Sequence, residues 1–197
     1  SELSLNLPEG RSVIRFESVT SEGLAAIDFF ELTGPGVKAA RAQFAAGTIV
    51  GTSGRIEGET AARSGGLNVN NNHSGFSGTG FISNMTKVGG AATFTVNVAR
   101  SGDYYLSHRY AAGPFGSATT RTVSLYINGV DVKQSSMSET GSWSSWKTKS
   151  ELVTLKAGEN TITYKYDSSD TGWINIDYIW LSKDSGRGAI SDPIQQN

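Results

Sequence analysis

The 197-residue chain contains no cysteine and only four prolines. Without cysteine there are no disulfides, no thiolate zinc sites and no cysteine nucleophile. The compartment stays open, because a chain of this size holds a core without staples. Neither sign of charge dominates: 17 Lys and Arg stand against 18 Asp and Glu, for a net charge of −1. A nucleic-acid or anionic-membrane partner calls for a basic surface field, and this composition argues against both. No apolar run approaches about 18 residues, so no helical membrane span is read. The opening Ser1-Glu2-Leu3-Ser4 lacks the basic and apolar regions of a signal peptide and reads as the start of a mature or excised piece.

Glycine is abundant instead, at 24 residues, while charged residues make up only 18%. Together with frequent Ser, Thr, Val and aromatics, this usage predicts many short strands joined by tight turns. Phe94, Val96 and Val98 alternate with Thr93, Thr95 and Asn97, the period-two signature of a half-buried strand. Val123, Leu125 and Ile127 form a second apolar face, closed by the hairpin dipeptide Asn128-Gly129. Further strands are read near 55–60, 79–84, 104–111, 130–134, 146–155, 160–167 and 173–181, with a turn at Ala157-Gly158. The expected fold is all-β: a β-sandwich, or jelly roll, of two antiparallel sheets.

The N-terminal segment LNLPEGRSVIRFESVTSEGLAAIDFFELT repeats the C-terminal VTLKAGENTITYKYDSSDTGWINIDYIWLS. With one inserted loop residue, Gly10 meets Gly158, Ile14 meets Ile162, Phe16 meets Tyr164 and Asp28 meets Asp177. Residues 1–33 therefore read as the last two strands of a preceding, similar sandwich. Residues 34–54 read as linker and lead-in, 55–182 as the complete module, and 183–197 as a polar tail. Glu31 aligns with Trp180, which places Trp180 on an outer face and Asp177, Ile179 and Leu181 together on the other.

Glu57 and Glu59 in RIEGET carry the sharpest chemical signal. On a strand, residues i and i+2 share a face roughly 6.5–7 Å apart. Two carboxylates that close repel unless one is protonated or a cation intervenes. Spacing alone leaves three readings open: two solvated surface carboxylates, a calcium site, or the acid/base pair of a small glycosidase. His108 falls in an alternating strand and reads as a core residue, and His73 in the Asn-rich loop LNVNNNHSG reads as part of a solvated turn. The loops also hold Phe76, Phe81, Trp143, Trp146 and Trp173. Aromatic rings among a few placed polar groups are the general recipe for a ligand site, and sugar rings stack on such surfaces.

The motifs IEGETA, HSGFSGTGFI, SGDYYLSHRYAAG, TVSLYINGV, GSWSSW, LKAGENTI and GWINIDYIWL, in this order, resemble carbohydrate-binding module family 35 and its sister family 6. The resemblance spans about residues 55–182. It implies a non-catalytic module of a secreted glycoside-active enzyme, partnered by an oligo- or polysaccharide and a parent catalytic domain. It also implies a structural calcium, taking side-chain oxygens from Glu57, Glu59 and Asp177 and a backbone carbonyl near Thr79. The sugar positions carried over are Phe81, Trp143 and Asn175, with Trp173, Tyr110 and Arg109 beside them. Many family members carry RYANG where this chain has RYAAG, and Tyr is frequent where Phe81 stands. Both differences remove polar reach and point to a neutral sugar. The competing expectations are the glycosidase with Glu57 and Glu59, and a structural spacer without a working site.

Overall fold

A computed structural model describes residues 53–183. The expectations for residues 1–33, for most of the linker and for the polar tail lie outside the described residues. Eleven strands follow in order: β1 Ser53–Glu57, β2 Ala62–Ser64, β3 Asn68–Asn70, β4 Phe81–Ser83, β5 Ala91–Val98, β6 Gly102–Ala111, β7 Thr120–Ile127, β8 Val130–Ser138, β9 Lys147–Leu155, β10 Gly158–Lys165 and β11 Asn175–Lys183. They form two antiparallel sheets. One runs β3-β4-β11-β6-β9, with β1 also paired to β11; the other runs β2-β5-β10-β7-β8. The described residues form a β-sandwich.

Period-two alternation builds the core. Along β5, Ala92, Phe94, Val96 and Val98 are buried while their neighbours are not. Along β7, Val123, Leu125 and Ile127 are buried toward the same core, and Ser124 between them is buried as well. Opposite them, β11 and β6 contribute Ile176, Ile179, Leu181 and Leu106 to one continuous apolar cluster. Asn128 and Gly129 both take positive φ, 53° and 80°, as a two-residue hairpin turn with the twist of its strands requires.

Three sequence expectations change. First, β1 stops at Glu57, and a 3₁₀ turn over Gly58–Thr60 carries Glu59, so the two glutamates do not share one strand face. Second, the Asn-rich loop contains β3, a three-residue strand at a sheet end. So short a segment shows no periodicity. Third, the register of β11 against β6 shifts between Ile176 and Tyr178. This bulge leaves Asp177 unpaired and breaks the row it was expected to share with Ile179 and Leu181, because an extra residue re-aims the side chains around it. Trp180 lies outside the core cluster yet is only 7% exposed. Its strand is flanked on both sides, with Arg55 of β1 and Ser107 of β6 directly opposite, so an outer position here is not a solvent-facing one.

Candidate functional site

The bulge gives β11 a second role. Asp177, fully buried, accepts a hydrogen bond from the Ser77 backbone N–H at 2.9 Å and pairs with the Arg109 guanidinium. The Ser77 hydroxyl donates to Glu57 at 2.7 Å. Glu57 also meets Arg55 at 2.9 Å. Glu59 accepts from the Thr79 N–H at 2.8 Å and from its hydroxyl at 3.1 Å. Thus β1, the 3₁₀ turn, loop 71–80 and β11 converge at one corner.

The electrostatics of this corner are unbalanced. Burial pushes the Glu57 carboxyl above the usual range, opposed by Ser77 and Arg55 and reinforced by the charges of Glu59 and Asp177. Burial raises Asp177 in the same way, against the pull of Ser77 and Arg109. One Glu59 oxygen, Oε2, is buried without a hydrogen-bond partner. Among the described residues, no three His, Asp or Glu side chains are gathered as a ready-made metal cage. What the corner does offer is hard oxygen donors, one of them orphaned, in a setting that disfavours uncompensated negative charge. That donor chemistry fits calcium. Gly78 completes the corner: its φ is +64°, and a Cβ there would fall 2.2 Å from Glu59 Oε1.

On the other side of loop 71–80 lies a cleft of about 160 Å³. Trp143, Trp173 and Phe81 supply rings, and Asn72, Asn84 and Asn175 supply amides. Trp143 rests on Gly113, where a Cβ would come within 2.5 Å of its ring. Trp173 takes a positive φ of 57°, rare for an aromatic residue. Its N–H donates to the Met85 carbonyl at 2.7 Å, and its ring stacks on Phe115 at 3.9 Å with 16° between the planes. Phe81 is fully buried and lies behind the cleft wall, where it backs the lining without an open ring face. Among the described residues, no Asp, Glu, Lys or Arg lines the cleft. The volume is below the roughly 300–1,000 Å³ of pockets for drug-sized ligands, and suits one small ring held by stacking and hydrogen bonds.

Of the six ligand positions named from the sequence, the cleft brings together Phe81, Trp143, Trp173 and Asn175. Tyr110 is not a lining residue: it is 3% exposed and its hydroxyl donates to the Ser138 carbonyl at 3.1 Å. Arg109 belongs to the carboxylate corner and lies over the Trp146 ring at 5.3 Å. Trp146 in turn meets Phe81 edge-on and donates its indole N–H to the Ser74 carbonyl at 2.9 Å. Sequence reasoning missed Asn70, Asn72, Asn84 and Thr86. It also read His73 as part of a solvated turn, whereas its ring lies 6.2 Å from Trp143 inside the cleft. The run of asparagines in LNVNNNHSG was the available signal, since side-chain amides concentrated in one loop suit the recognition of hydroxyls.

Residues 54–183 match the model of the carbohydrate binding module (family 35). The chain is 41% identical over 140 residues to a 1,6-alpha-glucosyltransferase of Sporosarcina globispora, covering 71% of this chain and 11% of that protein. It is 38% identical over 127 residues to a cycloisomaltooligosaccharide glucanotransferase of Niallia circulans, covering 64% of this chain and 13% of that one. The chain thus spans little more than a tenth of these relatives. Among solved structures it is similar to a family 35 carbohydrate binding module from Clostridium thermocellum, with TM-score 0.60, 27% identity, and coverage of 68% of this chain and all of that one. A cycloisomaltooligosaccharide glucanotransferase from Paenibacillus sp., complexed with cycloisomaltoheptaose, superimposes with TM-score 0.59 at 35% identity over 64% of this chain and 18% of that chain.

Proposed function

Because the chain belongs to carbohydrate-binding module family 35, we propose that its charge-free cleft holds a neutral glycan and so targets an attached, secreted polysaccharide-active enzyme. The observation that carries this reading is the lining itself. Two tryptophans offer faces for the apolar side of a sugar ring. The amides of Asn72, Asn84 and Asn175 have no hydrogen-bond partner among the described residues and are available to hydroxyls. A uronic acid would meet no Lys or Arg there among the described residues. The relatives' names favour an α-glucan containing 1,6-linked glucose as the first glycan to try. A shallow site of this kind gives weak binding, with Kd on the order of 0.1–1 mM, which tethering to the enzyme offsets.

The carboxylate corner serves the same module as a structural calcium site, with Glu57, Glu59 and Asp177 as side-chain ligands and a carbonyl near Thr79 completing the set. Bound there, the ion would neutralise the buried carboxylates and tie β1 and loop 71–80 to β11. Glu57 and Glu59 lie outside the cleft and are engaged by Arg55, Ser77 and Thr79, which favours ion binding over acid–base chemistry on a glycoside.

Affinity gel electrophoresis with dextran, a β-mannan and a polyuronate tests the reading. Retardation by dextran that is lost in Trp143→Ala supports it. A wild-type protein retarded by no neutral glycan, as a spacer module would be, overturns it. Hydrolysis of a glycan by the wild type but not by Glu57→Gln would return the corner to the glycosidase reading.

A further inference from the structure

Arg121 is the largest fully buried side chain of the described residues, at 1% exposure. Burying a guanidinium is costly unless its donors are satisfied, yet among the described residues no carboxylate pairs with it. Its two terminal nitrogens go to backbone carbonyls instead, Nη1 to Ala118 at 2.7 Å and Nη2 to Gly113 at 3.3 Å and Phe115 at 3.2 Å, while Nε has no partner among the described residues. The guanidinium also lies 5.7 Å from the centre of the Phe115 ring.

Two of these carbonyls belong to the residues that seat the cleft's tryptophans. Gly113 lies directly beneath the Trp143 ring, and Phe115 stacks on Trp173. The next residue along β7 braces the opposite loop. The Thr122 N–H donates to Thr171 Oγ1 at 2.8 Å, the Thr171 N–H returns a bond to Thr122 Oγ1 at 3.0 Å, and the Thr122 carbonyl accepts from Gly172. Adjacent positions at the start of β7 therefore hold both loops behind the aromatic walls. A planar fork suits this task, since one side chain reaches several carbonyls in fixed directions where an ammonium is a single point.

We propose that Arg121 is a positioning residue for glycan binding: by clamping the carbonyls of Gly113 and Phe115, it sets the spacing of Trp143 and Trp173. This rests on reading the cleft as the glycan site, and a binding surface is only as exact as the shell supporting it.

The test uses the full chain labelled with 5-fluorotryptophan, so that each indole reports separately by ¹⁹F NMR, together with dextran titrations well below the melting temperature. In Arg121→Lys the Trp143 and Trp173 resonances shift or broaden, that of Trp180 stays in place, and the dextran Kd rises roughly fivefold or more. Phe115→Ala, at a 45% exposed residue whose loss leaves the core intact, moves Trp173 and weakens dextran binding. It carries the test if Arg121→Lys does not fold. Combining the two substitutions costs less than the sum of the singles, as expected for residues acting along one route.

A lowered melting temperature with unmoved Trp143 and Trp173 resonances and unchanged dextran affinity makes Arg121 merely structural and overturns the inference while the glycan reading stands. A Phe115→Ala protein with native resonances and affinity overturns it as well. If the wild type fails to bind dextran or any other neutral glycan, the functional reading itself falls, whatever the resonances do.

Discussion

Asp177 is unpaired in the β11–β6 register, and its carboxylate forms an ion pair with Arg109, whose backbone partner is Tyr178. The bulge makes this geometry possible, because in an unbroken ladder Asp177 would lie on the core side with Ile179. Arg109 then extends the connection to Trp146, and Trp146 braces both Phe81 and loop 71–80. Corner and cleft thus share one loop and one wall.

Calcium should stabilise the fold. At a free concentration of about 100 times Kd, binding to the native state adds about 2.7 kcal/mol. Thermal unfolding in calcium and in chelator reads this as an upward shift of several degrees. Glu57→Gln and Asp177→Asn remove most of the difference. An identical Tm with and without the ion in the wild type would dispose of the calcium site.

Gly78→Ala acts on the same corner through sterics. The new methyl meets Glu59 Oε1, and the backbone must keep a positive φ of 64°. We expect a loss of roughly 1–3 kcal/mol and a weakened response to calcium. Urea denaturation of both proteins, each with and without the ion, measures both effects. A fully native stability for Gly78→Ala would show that the loop re-forms freely.

In the cleft, Trp143→Ala and Asn175→Ala each weaken binding by about tenfold, or about 1.4 kcal/mol, with little change in Tm for the half-buried tryptophan. Isothermal titration with isomaltooligosaccharides provides the measurement. Undiminished affinity in both variants would move the site elsewhere on the module.

His108 predicts a pH dependence. Its ring is fully buried, 3.1 Å from the Tyr164 hydroxyl through Nδ1, and burial pushes its pKa down to about 4 from 6.5. Between those values the unfolded chain binds the proton and the folded one does not. Stability is therefore full above about pH 6.5 and declines on acidification toward pH 4, by up to about 1.4 kcal/mol per pH unit. Glu57 and Asp177 work in the opposite sense at acid pH, since their raised values let the folded state take up protons first. Urea midpoints across this range should show a flatter profile for His108→Gln. Parallel profiles in the two proteins would remove His108 from the account.

What the sequence made legible is what the backbone period writes locally. Alternation marked β5 and β7, and Asn128-Gly129 marked the hairpin of β7 with β8. The strand β3 was hidden because three residues carry no period, and the bulge at Asp177 was hidden because INIDYIWL is apolar on both faces of a central strand. The resemblance pointed to Trp143, Trp173, Phe81 and Asn175, which now surround one cleft. Nothing local distinguished them from Tyr110, whose alternating strand turns it into the core. Arg121 gave no signal at all, since a lone arginine at the start of a strand reads as a surface charge.

By itself, the order of residues determined the all-β class, the alternation that buries the core, the absence of cysteine chemistry and the near balance of charge, because each depends on composition or on neighbours along the chain. The tertiary structure alone decided which loops meet. Ser77 reaches Asp177 across 100 positions, and Trp146 reaches Ser74 across 72. Such contacts depend on sheet order and on a single inserted residue in β11, and neither leaves a periodic trace in the sequence.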